Sequence, residues 1–444
     1  MKYDIIVIGG GPGGKACSIE AARRGLKVAL VEKDGSGGNA IHQGYIPMKI
    51  MLDEMIKNTI GKDPINLTES LKTLGVRMEK AKEGWKRSLE RAGVNSYYGE
   101  AEIISEQEVR VMVDGGTTTL MGGSLVVATG SKPSSPIAPQ LDEGRGIISY
   151  KEVLTGKWLS LKDVVILGGN IEGCEFATLF NKMGARVRIL ELGDRIMPMC
   201  DLDQSQFLKE EFEKQGIEIK TNSTVTESQY NKEGKLEVHC TNKVDGTSEK
   251  LLSDALLVTG ASKPVLPRGI EKLDLDRGEN NTIKVNEYLE TTQKGVYAIG
   301  DVTGGITSAN AAILEGKTAA EIIAGQKNPV NYKGMSYVCF TDPQLSGVGL
   351  REIDARERQV NYQVKKAYFS ENMRAISQGY EKGFIKILVD ADKQTILGVH
   401  LAGDDIAELI PIGALACRQD LPIEVIRDLP LAHPTMTEII NEAL

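Results

Sequence analysis

No two cysteines in this sequence stand close enough to form a CxxC or CxxxxC pair. The six lie at 17, 174, 200, 240, 339 and 417 of 444 residues. Such scatter gives no disulfide framework, so a reducing compartment is expected. Positive charge is not in excess either: 53 Lys and Arg face 61 Asp and Glu, a formal charge of −8. A nucleic-acid binder carries a basic excess or stripe; neither appears, and nucleic acid is set aside as a partner. No apolar run approaches the roughly 18 residues of a membrane span. The opening MKYDIIVIGG lacks a signal-peptide cleavage region, so a cytoplasmic protein without a membrane partner is expected. No His/Asp/Glu cluster suggests a metal.

Glycine, by contrast, is plentiful, with 48 residues gathered at turns beside apolar runs. This predicts an α/β protein with tight ligand-binding turns, and the length predicts about three domains. Tyr3 to Gly9 reads as a buried strand, Gly13 to Arg24 as a helix and Lys27 to Glu32 as a second strand, a βαβ unit. A polar helical stretch follows to about Gly93, then strands to Thr129 and the turn Gly130-Ser131-Lys132-Pro133. A second unit starts at Asp163, with VVILGG as strand, Glu172 to Met183 as helix and ARVRILE as strand. Gly9 to Glu32 spans 23 positions, and so does Gly168 to Glu191. Each copy later closes in an apolar strand, a TG turn and a KP pair. Two related nucleotide-binding domains are therefore expected, the second inserted in the first, with GVYAIGDVTGG at 295–305 returning to the first. From about 333 the pattern becomes a half-buried sheet with helices; GFIKILVD and TILGVHLAG read as adjacent strands turning at Asp392-Lys393.

Gly9-Gly10-Gly11-Pro12-Gly13-Gly14 satisfies GxGxxG between a strand and a helix. Gly9 allows the tight turn, Gly11 lets the backbone approach a pyrophosphate, and Gly14 lets the helix pack on the sheet. Amides at the helix start then face the phosphates. Glu32, at the next strand end, can accept from a ribose. A dinucleotide site is expected, of a kind the motif alone does not choose. Asp301 in AIGD suits the sugar-like chain of FAD; the alternative is an N-cap for a helix beginning near Ser308.

With GCEFATLF at 173–180, FTDPQLSGVG at 340–349 and HPTMTE at 433–438 added, the whole chain resembles the pyridine nucleotide–disulfide oxidoreductases of the dihydrolipoamide dehydrogenase type. The resemblance implies a homodimer of α/β subunits with two Rossmann-like domains, the second inserted in the first, and a C-terminal α+β interface domain. It implies boundaries of 1–150 and 281–332 for the FAD domain, 151–280 for a nicotinamide-nucleotide-like domain and 333–444 for dimerisation. It implies FAD held by Gly9, Gly11, Gly14, Glu32, Gly38, Lys49, Thr129, Gly130, Gly300 and Asp301, and a nicotinamide nucleotide at Gly168, Gly173 and Glu191.

One segment departs from that family. In GGNAIHQGYIPMK, at 37–49, the redox cysteine positions are Ala40 and Tyr45. A methyl group and a phenol with a pKa near about 10 cannot cycle as thiols do. Disulfide reductase activity is therefore not expected. Asn39, His42 and GCEFATLF look partly like the soluble pyridine-nucleotide transhydrogenases of the same family, which keep the first cysteine and lack the C-terminal histidine, the reverse of this chain.

The second turn also departs. In Gly168-Gly169-Asn170-Ile171-Glu172-Gly173 the middle fingerprint glycine is Asn170, which tolerates unusual backbone angles but whose side chain occupies space where pyrophosphate would approach. Glu172 adds negative charge where phosphates and nicotinamide would lie. Glu191 favours NAD over NADP if either binds. Retained NAD(H) binding and a domain kept only for packing stay open.

By the resemblance, Lys49 and Glu175 pair beside the flavin, and His433, held by Glu438, reaches the partner subunit's flavin for acid–base work. Tyr45 stands at the charge-transfer cysteine position as proton donor, substrate contact or ring cover, and His42 as a substrate contact or helix cap. Glu172 is placed with the substrate. His239 and His400 look structural. The expected reaction is FAD-dependent transfer of hydride or electrons from a nicotinamide nucleotide, NADH first, to a small non-disulfide acceptor. Three alternatives stand beside it: an NAD-independent flavin enzyme acting on an organic substrate, a transhydrogenase or NADH oxidase, and a non-catalytic FAD-binding partner protein.

Overall fold

The computed structural model describes residues 2–35, 37–42, 44–61, 67–135, 146–154, 156 and 158–444. Residues 62–66 of the expected polar helical stretch, and Gln43 within the altered segment, lie outside them. The chain packs as two compact units. The first comprises Met1–Ile50, Leu67–Ser134 and Ala261–Tyr332, so its sequence is interrupted by residues 135–260.

Its sheet runs in the order Asn95–Tyr98, Val28–Glu32, Lys2–Ile8, Gly116–Val127, Glu108–Val113, Glu100–Ile103, with Val296–Ala298 on the other side of Gly116–Val127. The strands around Lys2–Ile8 are parallel, and Ile5, Ile6 and Val7 are buried on both faces. Continuous apolar runs such as YDIIVI arise because helices cover both sides of a parallel sheet. Helix Pro12–Arg23 starts with Pro at its first turn, where the missing N–H costs nothing. It packs on helix Ala309–Ile323, with Gly13 against Ala312 and Gly316. The Ser131–Pro133 and Ser262–Pro264 segments that close the two sequence copies pair antiparallel with one another.

The second unit contains a parallel sheet ordered Glu218–Lys220, Arg186–Leu190, Asp163–Leu167, Ala255–Val258, Ile147–Ile148, with helix Ile171–Lys182 after its Asp163–Leu167 strand. A three-stranded antiparallel sheet, Ser223–Tyr230, Leu236–Asn242 and Ser248–Ser253, adjoins it. Both histidines read as structural sit in strands, His239 in Leu236–Asn242 and His400 in Ile396–Gly403. The C-terminal sheet is antiparallel, ordered Ser336–Cys339, Gln344–Gly349, Ile396–Gly403, Gly383–Asp390, Tyr362–Tyr368, with helix Ile410–Gln419 on it. GFIKILVD and TILGVHLAG pair there through a turn in which Asp390 Oδ1 accepts the Asp392 and Lys393 amides, at 3.0 and 2.9 Å. The fold is thus two Rossmann-like modules and a C-terminal α+β sheet domain. Among the described residues no helix is long and apolar enough to cross a membrane.

A buried charge cluster ties the C-terminal sheet to helix Leu202–Lys214. Lys386 and Asp201 are each 1% exposed, and Lys386 Nζ donates to Asp201 Oδ1 at 2.8 Å and Glu352 Oε2 at 2.6 Å. Gln204 Nε2 adds bonds to the Ser346 and Leu401 carbonyls at 2.8 and 2.7 Å. Burial, the largest single influence, would raise the Asp201 and Glu352 carboxyls; the Lys386 hydrogen bond together with the other hydrogen bonds and charges around them outweighs it and holds both below their ordinary values. Depressed carboxyls contribute fully above the unfolded pKa of about 4 and lose that contribution as pH falls through the folded values. Lys386→Ala leaves two carboxylates without their cation and should cost about 3–5 kcal/mol at neutral pH. It should also flatten the acid limb of a stability–pH curve. Urea unfolding from neutral pH downward checks both; an unchanged midpoint would show that the cluster holds nothing.

Candidate functional site

The first glycine turn is shaped by contact too close for a side chain. A Cβ at Gly14 would lie 1.8 Å from the Gly9 carbonyl oxygen, and Gly9 itself has φ +106°. Glu32 fixes the turn from the next strand: its Oε2 accepts the Gly10 amide at 2.7 Å and its Oε1 the Asp34 amide at 3.0 Å. Gly11 is the N-cap of helix Pro12–Arg23, and no side chain caps it. The free amides of a helix start and its positive dipole end therefore point into the turn.

Other predicted residues gather around this turn within the same unit. Gly38 opens the short helix Gly38–His42, and its Cβ position is 3.1 Å from Gly11 Cα and 3.6 Å from Glu32 Oε2. The His42 ring lies along Gly35, 3.6 Å from that residue's Cβ position. Thr129 Oγ1 donates to the Val265 carbonyl at 2.5 Å, and Gly130 follows with φ +66°. Gly300 turns with φ +72°, and its amide donates to Glu315 Oε2 at 2.6 Å. Asp301 does not cap the helix near Ser308; Ser308 does so, accepting from the Ala311 amide at 3.4 Å. Asp301 Oδ2 instead accepts from Ser131 Oγ at 2.7 Å.

Three residues in this neighbourhood escaped sequence reasoning. Ser131 holds Asp301, and Asn39 Nδ2 donates to the Ser131 carbonyl at 2.7 Å, joining the altered segment to the TG turn. Glu315, 2% exposed, holds the Gly300 turn and accepts from Tyr332 at 2.7 Å. A lone acid on the small-residue helix ANAAILEG was the available signal.

Tyr45 opens helix Tyr45–Gly61, with Lys49 partly buried one turn on. Tyr45 is 36% exposed, yet burial of its phenol end pushes its pKa up. In the second unit Glu175 is 3% exposed and its Oε1 accepts the Phe340 amide at 2.9 Å.

The second glycine turn repeats the first in outline. A Cβ at Gly173 would lie 1.9 Å from the Gly168 carbonyl oxygen, and Glu191 accepts the Gly169 and Gly193 amides at 2.6 and 2.7 Å. Asn170 needs no unusual backbone, contrary to the sequence reading: its φ is −80° and ψ −174°, ordinary extended values. Its side chain acts instead, Oδ1 accepting the Gly173 amide at 2.9 Å. Glu172 Oε2 receives a longer bond, 3.4 Å, from the Gly260 amide.

His433 and Glu438 meet near the chain's end. His433 Nδ1 is 2.9 Å from Glu438 Oε1, while Glu438 Oε2 accepts the Thr435 amide at 2.7 Å. The Thr435 amide, then His433, lowers the Glu438 carboxyl pKa. The His433 side chain is 70% exposed on the single chain. All six cysteines are buried, and none belongs to the altered segment. Among the described residues no group of His, Cys, Asp and Glu is arranged to hold a metal ion.

An open glycine turn with an acidic strand end, a second turn on the same plan and a C-terminal antiparallel sheet define a two-module dinucleotide-binding flavoprotein. The chain belongs to the pyridine nucleotide-disulphide oxidoreductase family, matched over residues 3–316, with that family's dimerisation domain over residues 335–444. It is 31% identical to a dihydrolipoyl dehydrogenase of Chlorobaculum parvum, across 100% of this chain and 96% of that one. It is also 31% identical to a leghemoglobin reductase of Vigna unguiculata, across 100% and 87%. The Cu(II) complex of the HOCl-induced flavoprotein disulfide reductase RclA from Escherichia coli superposes with a TM-score of 0.89 at 26% identity, covering 100% of this chain and 99% of that one. The family's members are flavin oxidoreductases that use FAD and NAD(P), and the dimerisation domain indicates a homodimer.

The first turn fits FAD. Among the described residues nothing lies within 4 Å of a Cβ placed on Gly11, the helix start is uncapped, and Glu32 stands at the strand end. The second turn does not offer a nicotinamide dinucleotide the same cradle, because Asn170 fills it. Glu32→Ala strips the Gly10 amide of a charged acceptor and should weaken FAD binding by the equivalent of about 1–3 kcal/mol. The flavin-to-protein absorbance ratio after gel filtration reads this out. Full flavin retention would remove Glu32 from the site.

Proposed function

We propose that this chain is a FAD-dependent oxidoreductase that works without a dithiol relay, moving hydride or electrons between its flavin and a small non-disulfide substrate. The observation that carries this reading is the altered segment, where Ala40 and Tyr45 occupy the positions of the cysteine pair. The remaining thiols support it. Burial pushes Cys17, Cys200 and Cys417 up to about 12, and raises Cys174 as well. A thiol needs its thiolate to attack or exchange, and these four stay protonated near neutral pH.

FAD supplies the hydride and electron transfer when bound. The protein's share is position and protons. Tyr45, with its pKa raised, keeps its phenol proton at neutral pH and serves as a donor rather than a base. Glu438 fixes His433 through Nδ1 and leaves Nε2 to hold or release a proton. On this reading His433 serves the flavin of the partner subunit, Lys49 and Glu175 set the charge near it, and His42 and Glu172 contact substrate. The domain boundaries expected from the sequence, and a cytoplasmic location suited to scattered cysteines, belong to the same reading.

The family plan makes a nicotinamide nucleotide, NADH before NADPH, the electron donor. A second reading, direct reduction by a small organic substrate without NAD, is favoured by the Asn170 side chain across the second turn.

Anaerobic dithionite titration of the holoprotein separates this proposal from ordinary dithiol chemistry. A flavin alone takes up two electrons, and a redox-active disulfide takes up two more. We expect bleaching complete at two electrons per FAD, no long-wavelength thiolate–flavin band and no turnover with lipoamide or glutathione disulfide. A four-electron titre with such a band would sink the proposal.

A further inference from the structure

The two glycine turns share a backbone and differ in what fills their mouths. Gly11 and Asn170 are the matching N-caps, at φ −68°, ψ −172° and φ −80°, ψ −174°. At the first turn, among the described residues, nothing lies within 4 Å of a Cβ placed on Gly11 or on Gly130 of the facing TG turn. At the second, the Asn170 carboxamide crosses that space. Its Oδ1 takes the Gly173 amide at 2.9 Å. Its Nδ2 lies 2.0 Å from the Cβ position of Gly260, the counterpart of Gly130, and 3.5 Å from that of Gly168. Helix Pro12–Arg23 has no acid in its first turn, whereas helix Ile171–Lys182 has Glu172, which leans on the Gly260 amide at 3.4 Å.

A phosphate at such a turn is held by the amides of the helix start and by the positive end of the helix dipole. In the second module one of those amides, that of Gly173, is already engaged by a neutral acceptor, and a carboxylate, Glu172, stands in the first turn near the positive end of the dipole. We propose that Asn170 is a built-in competitor of the dinucleotide phosphate, so that a nicotinamide dinucleotide binds the second module only by displacing the Asn170 carboxamide from Gly173. Charged phosphate oxygens make stronger bonds than a carboxamide, so the competition weakens binding rather than forbidding it. Asn170 is thereby a specificity-determining residue for the electron donor, and Glu172 reinforces it by repulsion. This deepens the functional reading above, whose donor it concerns, and is independent of what accepts the electrons.

ADP-ribose is the probe, since it carries the adenosine and pyrophosphate but no nicotinamide and undergoes no redox step. Its binding to FAD-loaded wild type, Asn170→Ala, Asn170→Gly, Asn170→Ser and Asn170→Gly/Glu172→Ile is measured by calorimetry, with flavin content and Tm as controls. Losing a competing N-cap bond should tighten binding about 5-fold in Asn170→Ala and about twofold in Asn170→Gly, where glycine itself caps nearly as well. The double variant should bind more tightly than Asn170→Gly, while Asn170→Ser, which keeps a capping oxygen, should stay within about twofold of wild type. Should Asn170→Ala lose flavin or unfold, Asn170→Gly, which also removes the cap oxygen, replaces it with a gain of the same sign. Equal affinity in wild type and Asn170→Ala overturns the proposal, and so does absence of binding in every variant. Because no turnover is measured, a failure here leaves the two-electron titration untouched, and a four-electron titre leaves the calorimetry untouched.

Discussion

The approach of the Gly9 carbonyl oxygen to Gly14 is the constraint on which the first module depends. At 1.8 Å from the nearest Cβ position it admits no side chain, so the helix start is held against the strand end. The same contact recurs at 1.9 Å between Gly168 and Gly173. Each turn is then pinned from the neighbouring strand by a carboxylate, Glu32 or Glu191, accepting one turn amide.

Identical scaffolds therefore carry opposite electrostatics. The first helix start is uncapped and has no acidic first turn, an arrangement less stable by itself and suited to an anion. The second satisfies itself through Asn170 and Glu172. An Asn cap stabilises a helix by about a few tenths of a kcal/mol relative to Gly, so on the proposed reading the bond that steadies the second helix start is the one a phosphate would have to displace. Buried Asp201 and Gln204, at the start of helix Leu202–Lys214, anchor that part of the second unit to Lys386, Ser346 and Leu401. A nucleotide-shaped domain can thus serve as a wall and a support even where its nucleotide site is restrained.

Much of this was legible in the sequence because it rests on local rules. Apolar runs between glycine turns gave the parallel strands, equal spacing from Gly9 to Glu32 and Gly168 to Glu191 exposed the repeat, and Asp392-Lys393 marked the hairpin. What escaped depends on residues far apart. Lys386 sits in a strand as though its charge must reach water, yet it is buried on Asp201, 185 positions away. Asp301 kept a helix cap as its lesser alternative, until Ser308 took that role and Ser131, 170 positions off, took the carboxylate. For Asn170 the sequence showed a side chain in the pyrophosphate's space and a residue tolerant of unusual angles; the ordinary backbone and the bond to the Gly173 amide it did not show. A sequence states that a residue is present; it does not state whether the main chain or the side chain uses the position.

Replacing a cysteine pair by alanine and tyrosine changes more than exchange chemistry. A dithiol stores an electron pair apart from the flavin, and once reduced it also supplies a negative charge at neutral pH when one thiol is acidic. On the proposed reading, Ala40 supplies neither, and Tyr45, held protonated by burial, adds no charge. On that same reading the proton-handling groups are kept, in His433 with Glu438, while the second electron store is gone, so that each electron pair is discharged before another is accepted.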